Sequence, residues 1–145
     1  MAFRGHFDQT LDAKNRLNVP AKLRPAFSDG LVLMQSHDAA CIAIFTPEGF
    51  DSFSDKFLPR LNPMSAEYQK LTRFLAGSSF DMELDSGGRV TLNGVLLAHA
   101  GIEKDVVLIG AHDRLELWAR EKWEQQVGAL PGEVAQIAQD LDHPS

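Results

Sequence analysis

The sequence predicts a mostly β chain with short helices, in which one small β unit occurs twice and the two copies share a core. Three observations carry this. The pattern Phe-Asp-x-x-Leu-Asp-x-x-x-Arg runs from Phe7 to Arg16 and recurs from Phe80 to Arg89, a shift of 73 residues in a chain of 145. Both copies continue with alternating apolar residues, Leu17 and Val19 in the first, Val90 and Leu92 in the second. The register holds downstream, where Ile42, Ile44, Phe45, Glu48 and Phe50 align with Leu115, Leu117, Trp118, Glu121 and Trp123. Each copy is only about 45 residues, near the lower limit for folding without metals or disulfides, so two halves around one core are expected rather than two independent units.

Each repeat reads as hairpin, short helix, strand, strand. Phe7–Leu11 and Arg16–Val19 alternate polar and apolar residues around a loop, which is a hairpin signal. Pro20 stands where a first-turn helical proline belongs, opening Pro-Ala-Lys-Leu-Arg, and Pro25 is expected to stop that helix. The second copy places Asn93–Gly101 there, with Gly101 as the C-terminal cap. Strands are expected at Leu31–Gln35 and Cys41–Phe45, matched by Val106–Ile109 and Leu115–Trp118, for a total of eight short strands.

Helical material separates the repeats. Thr46-Pro47-Glu48 starts a helix with Phe50, Phe53 and Phe57 on one face, and Pro59 and Pro63 break it. Ser65 can cap a second helix carrying Tyr68, Leu71 and Leu75, which Gly77 ends. After the second repeat, Arg120–Val127 mirrors the first of these helices, and a final stretch aligns Val134, Ile137, Ala138 and Leu141 in a stripe. Such stripes usually face a core, but here there is more apolar face than one small β unit covers, which leaves room for subunit contacts. The expected divisions are 6–53 (repeat 1), 54–79 (helical connection), 80–125 (repeat 2) and 126–145 (helical tail).

Bulk properties narrow the function. A single cysteine, Cys41, excludes an internal disulfide framework and fits a reducing compartment. No apolar run approaches the roughly 20 residues of a spanning helix, and the first residues lack a signal-peptide apolar region, so a cytoplasmic protein is expected. The net charge of −6 is unevenly spread. Residues 1–24 hold Arg4, Lys14, Arg16, Lys22 and Arg24 against Asp8 and Asp12, a local +3. Residues 116–145 hold Arg120 and Lys122 against Glu116, Glu121, Glu124, Glu133, Asp140 and Asp142, a local −4. A basic face on an acidic body is compatible with a nucleic-acid edge, but composition alone favours ordinary scatter of solvated charge.

The repeated loop carries the chemistry. Asp12-Ala13-Lys14-Asn15-Arg16 stands beside Asp85-Ser86-Gly87-Gly88-Arg89. An aspartate opening a tight loop accepts from backbone N–H groups two residues on, and Asn15 and Gly88 are the residue types that take a left-handed conformation most readily. Asp12, Asn15, Asp85 and Gly88 therefore have turn-forming roles. Arg16 and Arg89 have no evident backbone role; they either pair with the loop aspartates or present a planar fork to phosphate or guanine. Lys14 adds a second cation to the first loop, where the second has Gly87.

These loops, together with Pro20–Arg24, Thr72–Ser79 and the Arg-Leu-Glu-Leu-Trp run at Arg114–Trp118, resemble the MraZ family from Phe3 to about Val127. These are bacterial transcriptional regulators of the division and cell-wall gene cluster, built from two SpoVT-AbrB-type domains. The resemblance implies a swapped-hairpin β-barrel with halves interleaved about a pseudo-twofold axis. It implies a nucleoid-associated, ring-forming homo-oligomer that binds repeated sites in double-stranded DNA, including its own promoter, through the two loops. Carried over by position, the DNA-reading residues are Lys14 and Arg16 in the first loop and Arg89 in the second. Arg4, Lys22 and Arg24 are further candidate phosphate contacts. Two positions depart from the family pattern: Asn15 replaces the usual glycine, and Gly87 stands where a basic or polar residue often sits. The first loop is therefore expected to contribute more than the second, in the order Arg16, Lys14, Arg89.

The competing classes are weaker. The five histidines show no ligand spacing with one another or with Cys41, so no metal or cofactor is expected. Gly77-Ser78-Ser79 lacks the trailing glycine of a nucleophile elbow, and no phosphate-cradling glycine motif is present. No enzyme, membrane contact or small-molecule substrate is expected. The alternative is a scaffolding ring without DNA binding, which would not need a cationic loop tip.

Overall fold

The computed structural model describes residues 2–143. Among these are eight strands: β1 (His6–Thr10), β2 (Arg16–Asn18), β3 (Leu31–Gln35), β4 (Ile42–Phe45), β5 (Ser79–Met82), β6 (Arg89–Thr91), β7 (Asp105–Gly110) and β8 (Leu115–Ala119). Four α-helices accompany them: α1 (Pro47–Asp55), α2 (Ala66–Gly77), α3 (Gly94–Ala100) and α4 (Arg120–Asp142). Helical residues outnumber strand residues, so the fold is mixed rather than mostly β. The difference comes largely from α4. It runs unbroken through Pro131, which removes one helical hydrogen bond without ending the helix. No described helix is long and apolar enough to cross a membrane.

The strands flanking each loop do not pair with each other along a ladder. β1 pairs with β7, β5 with β3 and β2 with β6, so each expected hairpin is opened and donated to the other repeat. The result is a six-stranded antiparallel sheet, β1-β7-β8-β4-β3-β5, and a separate two-stranded ribbon, β2–β6. Exchanging the repeats reverses the strand order of the sheet onto itself. The register obeys the same exchange. A 73-residue swap converts the pair Ile42–Leu117 into Ile44–Leu115, and Arg16–Thr91 into Asn18–Arg89. Ser79–Met34 corresponds to His6–Ile109 once two extra residues in the β3–β4 loop, relative to the β7–β8 loop, are allowed for. The hydrogen-bonded sheet does not close on itself; β1 and β5 are its edges.

Alternation along the strands gives the sheet two apolar faces. On the inner face Leu31, Leu33, Ile42, Ile44, Val106, Leu108, Leu115 and Leu117 pack with Leu17, Val19, Val90 and Leu92 from the ribbon segments. The ribbon thus lies over the sheet, with Leu17 and Val90 fully buried at its centre. On the outer face Val32, Met34, Ala43 and Phe45 pack against Phe53 and Leu75, with Phe50, Phe57 and Leu71 at the margin. The α1 stripe does face a core. Thr46 caps that helix by accepting from Gly49 N–H at 2.9 Å, and Ser65 caps α2 by accepting from Tyr68 N–H at 3.1 Å.

Two elements differ from expectation. Pro20–Arg24 forms hydrogen-bonded turns (Leu23 N–H to Pro20 C=O, 2.9 Å) followed by a 3-10 helix at Arg24–Phe27, with Pro25 inside it rather than terminating it. Pro25 has no N–H for a longer helical ladder, so the segment keeps three-residue bonds. In the second copy, free of internal proline, α3 forms as a true helix. Asn93 caps it and Gly101 closes it at φ +62°. The C-terminal stripe is the other difference: Val134, Ile137 and Leu141 are exposed, as are Val127 and Leu130, so this face is not core.

Candidate nucleic-acid interface

The two loops are built alike, bond for bond. In the first, Asp12 Oδ1 accepts from the backbone N–H of Lys14 and of Arg16, both at 2.9 Å, and Asp12 Oδ2 accepts from Arg16 Nε at 2.6 Å. In the second, Asp85 Oδ1 accepts from the N–H of Gly87 and of Arg89 at 2.9 Å, and Oδ2 from Arg89 Nε at 3.0 Å. Asn15 and Gly88 both take positive φ, +57° and +76°, and each donates its N–H to the carbonyl of its loop aspartate at 3.0 Å. The backbone N–H donors of Arg16 and Arg89 are the main reason that the Asp12 and Asp85 carboxyls sit below the ordinary carboxylate value of 3.8.

Both arginines are therefore paired with their own loop aspartates, through Nε alone. Among the described residues no protein acceptor engages their terminal Nη groups, and these are the two donors that a bidentate contact uses. The aspartate orients the guanidinium without occupying it. The left-handed residue of each loop also ties the repeats together: Gly88 C=O accepts from Val19 N–H at 3.0 Å and Asn15 C=O from Leu92 N–H at 2.9 Å.

Because Leu17 and Val90 point inward, their neighbours on the ribbon point outward. Arg16 stands opposite Thr91 and Arg89 opposite Asn18, so the two arginines share one face. They lie two residues apart along it, about 7 Å at the usual strand rise. Lys14 is exposed at the first loop tip and makes no ion pair among the described residues.

The other three cations are placed differently. Arg24 reaches back to the ribbon, donating from Nε to Val19 C=O at 2.7 Å and from Nη2 to Asn18 Oδ1 at 2.9 Å. Lys22 holds its ammonium 5.0 Å from the Phe7 ring centroid, a cation–π contact. Arg4 precedes β1, beside Gly110, whereas the first loop follows β1. The intervening residues, in extended form at the strand rise, put Arg4 roughly 25 Å from Asp12. Sequence reasoning missed Asn18, which carries no charge and was signalled only by its outward parity on β2. No group of three or more potential metal ligands occurs among the described residues.

Comparison with known proteins shows the family. The family model described as "MraZ protein, putative antitoxin-like" matches residues 2–74 and again residues 75–140, dividing the chain between the two interleaved repeats. The chain belongs to the MraZ family. Similar relatives include proteins named transcriptional regulator MraZ from Thermoanaerobacter pseudethanolicus (33% identical, covering 95% of each chain) and Methylobacillus flagellatus (33%, covering 97% of each). Another, from Lactobacillus delbrueckii subsp. bulgaricus, is 33% identical over 97% of this chain and 96% of its own. MraZ relatives are thus named as regulators of transcription, not as catalysts.

Proposed function

We propose that this MraZ-family chain is a sequence-specific DNA-binding regulator that reads double-stranded DNA with the outer face of the β2–β6 ribbon and the two loops at its ends. The observation that carries this reading is the pair of loop arginines on one ribbon face, each held by its aspartate through Nε with no described protein acceptor on its Nη groups. A two-stranded ribbon fits the DNA major groove, and a bidentate guanidinium suits the O6 and N7 of guanine. Lys14 adds a positioning contact to phosphate. The target is the division and cell-wall gene cluster, including the chain's own promoter.

A single protomer offers few phosphate contacts, so useful affinity requires several protomers on repeated sites, acting through effective concentration. The exposed residues Val127, Leu130, Val134, Ile137 and Leu141, spaced three and four apart along α4, support assembly into a ring. The ribbon lying over the sheet supports a swapped-hairpin barrel, with functional units at 6–53 and 80–125.

The test is binding to the chain's own upstream DNA. Arg16→Ala should lose at least about five-fold in affinity, the lower end of the roughly 1–3 kcal/mol carried by one bidentate base contact. Arg4→Ala, far from the ribbon, should bind like the parent. Equal binding by Arg16→Ala and the parent would exclude the ribbon as the reading surface. Ile137→Asp should reduce particle size in sedimentation without lowering the melting temperature; an unchanged particle would remove α4 from the assembly interface.

A further inference from the structure

The second loop lacks the lysine that the first carries, yet its surroundings are not short of charge. Gly88 is buried, whereas Asn15, its counterpart, is exposed. What covers Gly88 is Arg24: a Cβ at position 88 would collide with Arg24 Nε, Cζ and Cδ. Arg24 comes from the first repeat. Its guanidinium is fixed there by Val19 C=O and Asn18 Oδ1, both uncharged acceptors, and it makes no ion pair among the described residues. Asn18 is also the residue opposite Arg89. Position 97, a 73-residue shift from Arg24, is Leu97, so the first loop receives no such cation in return.

We propose that Arg24 is the second cation of the second loop, replacing in trans the lysine missing at Gly87, so that both ends of the ribbon present the same charge to phosphate. Each end then has one arginine neutralised by its aspartate and one cation without a carboxylate: Lys14 at the first, Arg24 at the second. The glycine at position 88 is part of this device. Asparagine suffices for the turn, as Asn15 demonstrates, but only a residue without Cβ leaves space for the guanidinium. This assignment rests on the DNA-reading function proposed above and deepens it, since it removes the expected inequality between the loops.

The experiment is fluorescence anisotropy of a labelled duplex carrying the chain's own upstream sequence, titrated at several salt concentrations. Arg24→Gln keeps a side-chain donor but removes the charge. It should weaken binding about eight-fold at 0.1 M salt for each protomer engaged and lower the salt slope by about 0.9, the contribution of one phosphate contact. Gly88→Asn should reproduce that loss by displacing Arg24 while Arg24 itself remains in the sequence. Gly87→Lys, placed in the Arg24→Gln background, should restore both affinity and slope. A side chain at position 87 meets side-chain atoms and no backbone: Arg89 Nε at 3.2 Å, Asp85 Oδ1 at 3.4 Å and Arg89 Cζ at 3.5 Å. A merely structural Arg24 would lower the melting temperature, and the added lysine would not rescue binding. An unchanged slope in Arg24→Gln, or no rescue by Gly87→Lys, overturns the assignment. If Arg16→Ala is silent as well, DNA reading by the ribbon fails altogether. If only Arg16→Ala loses affinity, the failure is confined to Arg24.

Discussion

Truncating Leu17 in the first repeat should unfold the second. Leu17 is fully buried and pairs with Val90 at the centre of the ribbon, where the two repeats meet. Leu17→Ala removes three carbon groups, about 2.4 kcal/mol at roughly 0.8 per group. The cavity left among Val19, Val90 and Leu92 raises the loss to about 3–5 kcal/mol. For a chain of this size that corresponds to a fall in melting temperature of about 6–20 °C. The assay exploits the position of the two tryptophans, Trp118 and Trp123, both in the second repeat. Urea unfolding followed by tryptophan fluorescence should shift by the whole amount, coincident with far-UV circular dichroism and with the slope m unchanged. A fluorescence transition that stays at the parent midpoint while dichroism splits into two steps would show independent halves and refute the interleaved core.

Two further predictions concern titration and thiol chemistry. Asp12 and Asp85 have carboxyl pKa values lowered from 3.8, chiefly by backbone N–H donors. A depressed folded-state value stabilises the fold above the unfolded pKa, and that contribution is lost as pH falls through and below about 4. Melting temperature should therefore drop in this window, and Asp12→Asn/Asp85→Asn should show a shallower acid limb; an identical limb would contradict the turn geometry. Cys41 is fully buried, and burial pushes its thiol up to about 12. It should remain unreactive toward an aromatic disulfide reagent at pH 8 and titrate as one thiol in denaturant; rapid native-state reaction would contradict its placement.

Much of the architecture was legible because the duplication supplies its own alignment. The strand pattern, the caps at Thr46 and Ser65, and the Gly101 cap follow from local chemistry that needs few neighbours. The hairpins were legible as strands but not as partners. Alternation tells which side of a strand is buried, yet it does not distinguish pairing with the adjacent strand from pairing with its equivalent in the other repeat. The Pro20–Arg24 segment was overread, because a first-turn proline signals a helix only where the next turn can continue it, and Pro25 prevents that. In α4 the reverse error arose: Arg120–Val127 and the final stretch with Val134, Ile137 and Leu141 read as separate segments, while a single helix runs through both with its apolar stripe exposed.

At the candidate site the sequence separated turn formers from arginines but could not reveal how each guanidinium is used. Pairing through Nε, with the Nη groups left without a protein acceptor among the described residues, is a matter of angle and distance. Arg24 lies far from Gly88 in sequence, and the contact appears only when the ribbon is assembled. The one trace in the sequence was the difference between the fourth loop positions, Asn15 and Gly88. It pointed to a left-handed backbone, which both satisfy, and concealed the steric need that only glycine meets.

The most direct measurement of the central claim is the salt dependence of binding to the chain's own upstream duplex, compared between the parent and a variant carrying Lys14→Gln, Arg16→Gln and Arg89→Gln. The lost Lys14 phosphate contact should reduce the slope of log affinity against log salt by about 0.9 for each protomer on the DNA, and the two lost guanidinium contacts should collapse preference for the upstream sequence over an unrelated duplex. A variant that retains both the parent slope and the parent preference would mean that the paired loops do not read DNA.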